Sequence, residues 1–253
     1  MIKPRDILLK NIYSSKEDNM VHSTFFYPKQ GGSQFIVDRL SENINKVNEE
    51  ISEISSKANY LYLNNKAKAF SSIVYTGDVR LLSKILHINI IKELKLKELF
   101  DEINFLDSNP TTTILCECDT NNYSWIYLPT EDLKSHRMIM TGNFSNKNNS
   151  IKLNKDRITC TVECSGKLNL ELFSKELKKM PFNPKLISYN FCESSYIIQN
   201  DKTRYLLEEL KKKLNNKNIF LCGRFAEWEY FNMDAAIKSA MSIIQLILKK
   251  DYP

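Results

Sequence analysis

Glycine is scarce in this chain. Only Gly31, Gly32, Gly77, Gly142, Gly166 and Gly223 occur in 253 residues, and none are spaced G-x-G. A G-x-G-x-x-G fingerprint, whose glycines seat a pyrophosphate on a helix N-terminus, is therefore absent. Histidine is scarcer still (His22, His87, His136), and the six cysteines contain no C-x-x-C pair. No metal site is expected from such spacing. The longest apolar run, residues 241–248, is interrupted by Gln245 and falls far short of the roughly 20 residues that span a bilayer. The first residues are charged and lack the apolar stretch of a signal peptide. These absences predict a cytoplasmic chain without a membrane span.

What is present describes an ordinary globular protein. The hydrophobic fraction is 42% and the charged fraction 26%, enough to bury a core without staples. The net charge of +6 is mildly basic, but the positive residues are mixed with acidic ones, as in Glu208, Glu209, Lys211, Lys212 and Lys213. Solvated helix faces explain that pattern better than a nucleic-acid stripe, so no specific nucleic acid is expected. A basic nucleic-acid module rests on net charge alone, and steep salt dependence would mark it. Cys116 and Cys118 share one strand face by parity, as do Cys160 and Cys164, and buried free thiols are expected.

Periodicity gives an intermixed α/β (α+β) order. An extended segment at Phe25 to Gln30 ends in Gly31-Gly32, with Ser33 as an N-cap for an amphipathic helix to about Asn43. Strand-like runs follow at 47–54, 59–63 and 69–75, then helices around 79–85 and 91–106. The middle is strand-rich at 111–118, 123–128, 137–141 and 158–164, with a polar loop at 143–149. A helix at 170–180, one or two strands at 186–199 and a charged helix at 202–214 lead to a terminal strand at 218–222. Gly223 stops that strand, and a long helix runs from about Met233 to Lys249.

The terminal strand–turn–helix is the best chemical candidate. A strand ending in Gly admits a ligand close to the backbone, and a helix N-terminus offers free N–H groups. Arg224 adds a fork suited to phosphate. The competing reading is that Gly223 merely turns the chain while Trp228, Tyr230 and Phe231 pack, which pattern alone favours. Aromatics on the run containing Trp125 and Tyr127 are either a substrate wall or packing. His136 and Arg137 are either a proton donor with an anion clamp or structural.

The string Gly223-Arg224-Phe225-Ala226-Glu227-Trp228-Glu229-Tyr230-Phe231-Asn232-Met233-Asp234-Ala235-Ala236-Ile237 resembles the C-terminal flavin motif of proteins related to protoporphyrinogen oxidase, amine oxidase and UDP-galactopyranose mutase. It is most similar to the sugar- and lipopolysaccharide-associated form. Tyr27-Pro28-Lys29 with Gly31-Gly32-Ser33 and Asp38-Arg39-Leu40 resembles the segment that leads that family back into its FAD domain. Ala226 stands where the sugar-associated form has Gly, which would crowd the flavin ring.

The resemblance implies FAD as cofactor, with Val47 beside its adenine end and Gly223, Arg224, Asn232, Met233 and Asp234 along its phosphate and ring. It implies a small-molecule or nucleotide-sugar substrate, with Trp125, Tyr127, Arg137, Tyr189 and Tyr196 facing it. It also implies residues 1–76 as linker, Gly-Gly helix and β-meander of a partial FAD domain, 77–217 as the substrate domain, and 218–253 as the returning strand–turn–helix. The chemistry would be that of an oxidase taking hydride or of a mutase using reduced flavin on a sugar, in lipopolysaccharide or other cell-surface polysaccharide synthesis. The missing fingerprint makes the chain read as the C-terminal part of such an enzyme. Either a separate chain then carries the G-x-G-x-x-G half, or the domain has repacked around the gap; a truncated or excised piece of a longer protein fits the sequence equally well. The alternative is a non-catalytic remnant or partner subunit that binds no FAD alone.

Overall fold

A computed structural model describes residues 25–58, 60–129, 133–150 and 153–251. The first helix, α1 (Gln34–Leu40), is shorter than its pattern predicts. Ser33 precedes it without a side-chain cap bond, and none of its residues is buried. The segment 47–53, expected to be strand, is irregular instead. Asn64 pins it: the amide oxygen accepts from Ser52 N (2.8 Å) and Glu53 N (3.2 Å), and the amide nitrogen donates to Glu50 O (2.8 Å).

Strands β1 (Ile54–Lys57), β2 (Tyr60–Leu63) and β3 (Ala69–Phe70) form an antiparallel meander. The expected run 69–75 breaks after Phe70, and its second piece, β4 (Ile73–Tyr75), leaves the meander. It pairs in parallel with β10 (Ile219–Leu221), Val74 standing opposite Phe220. Three short helices follow: α2 (Val79–Ile85), α3 (Ile88–Glu93) and α4 (Lys97–Ile103). Asp78 caps α2 by accepting from Arg80 N at 2.9 Å. The single helix expected at 91–106 is two, because Lys95 turns through φ +52° between α3 and α4.

The middle of the chain is a five-stranded antiparallel sheet. It contains β5 (Ser108–Asp119), β6 (Trp125–Tyr127), β7 (Ser135–Ile139), β8 (Arg157–Ser165) and β9 (Lys185–Ile197), in the order β6-β7-β8-β5-β9. A short helix, α5 (Thr141–Phe144), and a 3₁₀ turn occupy most of the expected polar loop. Alternation in β5 puts Ile114, Cys116 and Cys118 on one face, opposite Val162, Cys160 and Ile158 of β8. That face is covered by Phe173 and Leu177 of α6 (Leu170–Leu177). All six thiols are free; five are buried as expected, and Cys192 is exposed.

A second core joins β1 and β2 to α2–α4, α7 (Asp201–Asn215) and β10. Asn200 starts α7 by accepting from Thr203 N at 2.9 Å, and Leu206, Leu207, Leu210 and Leu214 give it a buried stripe at helical spacing. Burying such leucines is worth about 1.5–3 kcal/mol each. The final helix, α8 (Met233–Asp251), lies on β10 through Ala240, Ile243 and Ile247. Among the described residues no helix is long and apolar enough to cross a membrane.

Candidate functional site

The five-stranded sheet has one covered face and one open one. Residues directly opposite in an antiparallel ladder share a face. Tyr127 is opposite Arg137, Arg137 opposite Glu163, and Glu163 opposite Thr113, so these form one row on the open face. A bulge in β7 precedes Arg137, and such bulges re-aim side chains. Arg137 Nε donates to Glu163 Oε2 at 2.7 Å, and its Nη2 donates to the same oxygen and to Tyr196 OH at 3.3 Å. Burial works against the Arg137 charge, but the Glu163 bonds outweigh it and hold the guanidinium above its usual range. Burial, followed by the Glu163 charge, pushes the Tyr196 phenol up.

The turn after β10 delivers the rest of the cluster. Gly223 takes φ +90°, a conformation that side chains disfavour, and a Cβ there would meet nothing within 4 Å. Its N–H donates to Glu227 Oε2 at 2.8 Å, which closes the turn. Arg224 then lies with its guanidinium carbon 4.5 Å from the Tyr230 ring centre and 5.9 Å from that of Tyr196. The two phenol rings are stacked at 5.9 Å and 14°. Arg224 forms no ion pair with a carboxylate among the described residues, and its buried Nε has no hydrogen-bond partner. A cation held against aromatic rings, close to a second arginine and without its own counterion, is suited to an anionic ligand.

The expected residues separate accordingly. Arg137, Tyr196 and Arg224 converge, and Tyr127 stands beside Arg137. Trp125 is on the same face one ladder step away, opposite Ile139, with Phe25 packed against its ring at 5.8 Å. Tyr189 does not join them: register puts it opposite Ile114, on the side of the covered core. Asn232 accepts the first bond of α8 from Ala236 N (3.0 Å), while Met233 and Asp234 are exposed in its first turn. Val47 borders a separate cleft of about 540 Å³ with Ile51, Leu63, Lys66 and Phe70. Ala226 is fully buried in the core. Trp228 is buried as well, as the packing reading expected, but Tyr230 is exposed and belongs to the cluster.

Sequence reading missed Tyr230 as a member of this cluster and Glu163 altogether. Tyr230 carried a signal, since it lies six residues after Arg224 in the same turn. Glu163 carried none, because only strand register brings it to Arg137.

The fold is similar to that of reduced UDP-galactopyranose mutase, with a TM-score of 0.70 and 17% identity over 90% of this chain and 54% of the mutase. A CLA-producing fatty acid isomerase from P. acnes gives 0.54 and 12%, over 88% of this chain and 52% of the isomerase. An oxidoreductase from Methanosarcina mazei gives 0.51 and 7%, over 78% and 48%. No family model and no curated protein matches the sequence. The chain thus spans about half the length of these structures. At such identities the likeness shows the fold alone, an α+β fold similar to that of the mutase, in agreement with the expected class.

Proposed function

We propose that this chain is the substrate-binding and flavin-facing portion of an FAD-dependent enzyme acting on a nucleotide sugar, of the flavin-dependent sugar mutase kind. The observation that carries the reading is Arg224: a partly buried cation with an unpartnered Nε, held over Tyr230 and Tyr196 and close to Arg137. Two arginines above a stacked aromatic pair suit a diphosphate with a flat base attached. A phosphate needs positive charge that is not already neutralised. Arg224 has it, and Arg137 would share its charge between Glu163 and the ligand.

The residues of the terminal turn also fit the flavin end of FAD. The open space beside Gly223 admits a ring edge, and the start of α8 at Asn232, Met233 and Asp234 offers backbone N–H groups. The cleft beside Val47 would take the adenine end. When bound, FAD would supply the redox or nucleophilic chemistry. The chain's own residues orient the diphosphate, exclude water with Tyr196 and Tyr230, and hold a proton on the Tyr196 phenol.

Titration calorimetry with UDP tests the site without any flavin. UDP binding is expected, weakened on the order of 100-fold by Arg224→Ala and less by Arg137→Ala, whose charge is shared. Heat that is absent, or unchanged by both substitutions, would contradict the reading. A second reading, a non-catalytic subunit, is favoured by the missing G-x-G spacing. It allows UDP binding but no flavin binding by the chain alone.

A further inference from the structure

The five-stranded sheet ends on one side in β9, a strand of 13 residues with no strand paired on its outer side among the described residues. Such an edge presents a row of backbone N–H and C=O groups to which another strand can add. Folded proteins usually blunt a long edge with charge, proline or a bulge. In β9 those devices stand only toward the ends. Register shifts bracket residues 188–192, which pair in unbroken order with residues 115 to 111 of β5. That stretch, Ser-Tyr-Asn-Phe-Cys, contains no charge and no proline.

The edge is apolar as well as open. Every residue from 185 to 190 is exposed, and the run includes Leu186 (40%), Ile187 (52%) and Tyr189 (54%). Three large apolar side chains within four residues of one unpaired edge mark a contact surface. Tyr189 and Phe191 stand opposite Ile114 and Thr112, so both rings project on the same side of the sheet.

Charge says which strand fits there. Lys185 begins the exposed run, its side chain 70% exposed, and Glu193, also exposed, follows at the other end. A two-fold axis relating two β9 strands edge to edge makes them antiparallel, and antiparallel pairing is what this sheet already uses throughout. With the axis at Tyr189 or Asn190, Lys185 of each copy lies opposite or diagonal to Glu193 of the other. Opposite charges then meet at both ends of the ladder, and the Tyr189 and Phe191 rings of the two copies meet between them. Both kinds of cross-strand pair stabilise an antiparallel ladder.

We infer that this chain pairs with a second copy of itself through β9, joining two five-stranded sheets into one continuous sheet across a two-fold axis. Association of this kind needs neither flavin nor an anionic ligand.

Sedimentation velocity of the full chain over a wide range of concentration is the test. The mass should rise with concentration from the 29.5 kDa of one chain to twice that value. Tyr189→Lys should weaken the dimer about 100-fold, because it removes a central ring and sets charge beside the axis. Glu193→Lys should weaken it about 10-fold by placing lysines against lysines, and adding Lys185→Glu should restore it. Each variant should keep its circular dichroism and thermal transition, because all three side chains are already exposed. A monomer at every concentration, a dimer indifferent to Tyr189→Lys, or a Glu193→Lys defect that Lys185→Glu leaves unrepaired would each overturn the inference.

Discussion

Replacing Trp228 by alanine should destabilise the chain by about 3–5 kcal/mol, the usual cost of removing a fully buried aromatic from a core. Trp228 is 0% exposed, and its indole N–H donates to Ile198 O at 3.0 Å. Its carbonyl accepts from Gln199 Nε2 at 2.9 Å, and the Arg80 guanidinium sits 4.8 Å from its ring centre. The indole therefore ties the terminal turn to the end of β9 and to α2. Trp228→Phe should lose far less, because it fills most of the volume and forfeits mainly the indole bond. Urea denaturation distinguishes the two. Equal losses would mean that the hydrogen bond, and not the packing, dominates.

Glu227→Ala should cost a similar amount, about 3–5 kcal/mol, through a different mechanism. Glu227 Oε1 accepts from Lys211 Nζ at 2.8 Å, and Oε2 accepts from Gly223 N at 2.8 Å and from the Ser239 hydroxyl. One nearly buried carboxylate thus joins α7, the turn and α8. Removing it leaves a lysine and a backbone N–H short of partners, and breaking a buried pair costs more than the pair itself contributes. The loss should reach the site, since Gly223 N–H holds the turn that aims Arg224. Glu227→Gln should retain the shape with a smaller loss. Denaturation gives the stability, and UDP titration of the same variants shows whether Arg224 has moved. Unchanged UDP affinity in a destabilised Glu227→Ala protein would mean the turn holds without its carboxylate.

Local features were legible where one period dominates. The alternation of Cys116 and Cys118 predicted their shared buried face, the leucine spacing of 206–214 predicted α7, and the apolar run before Gly223 predicted β10. Features that depend on register were not. Glu163 meets Arg137 only through the β7–β8 pairing, with its register shift between Ser135 and Arg137. A one-residue slip moves a side chain to the opposite face, and no local pattern records it. The segment 47–53 reads as strand by composition but is held irregular by Asn64, a long-range contact that propensity does not contain. In the terminal motif, resemblance singled out Arg224, but only geometry separated Tyr230, which faces the arginine, from Trp228, which packs.

The same limits explain the two cores. Helices α2–α4 and α7 lie between the meander and β10 in sequence, and their apolar faces alone do not say which sheet they cover. In the structure they join β1, β2 and β10. The five-stranded sheet is left with α6 on one face and the open arginine-bearing row on the other. That open face is where the chain has charge and aromatic surface to offer a ligand.

The central claim is that this fold faces a flavin, and the visible absorption spectrum tests it most directly. The purified chain is incubated with excess FAD and desalted. A retained flavin band, reduced by Arg224→Ala while the protein stays folded, is the predicted result. A folded protein that stays colourless would contradict it.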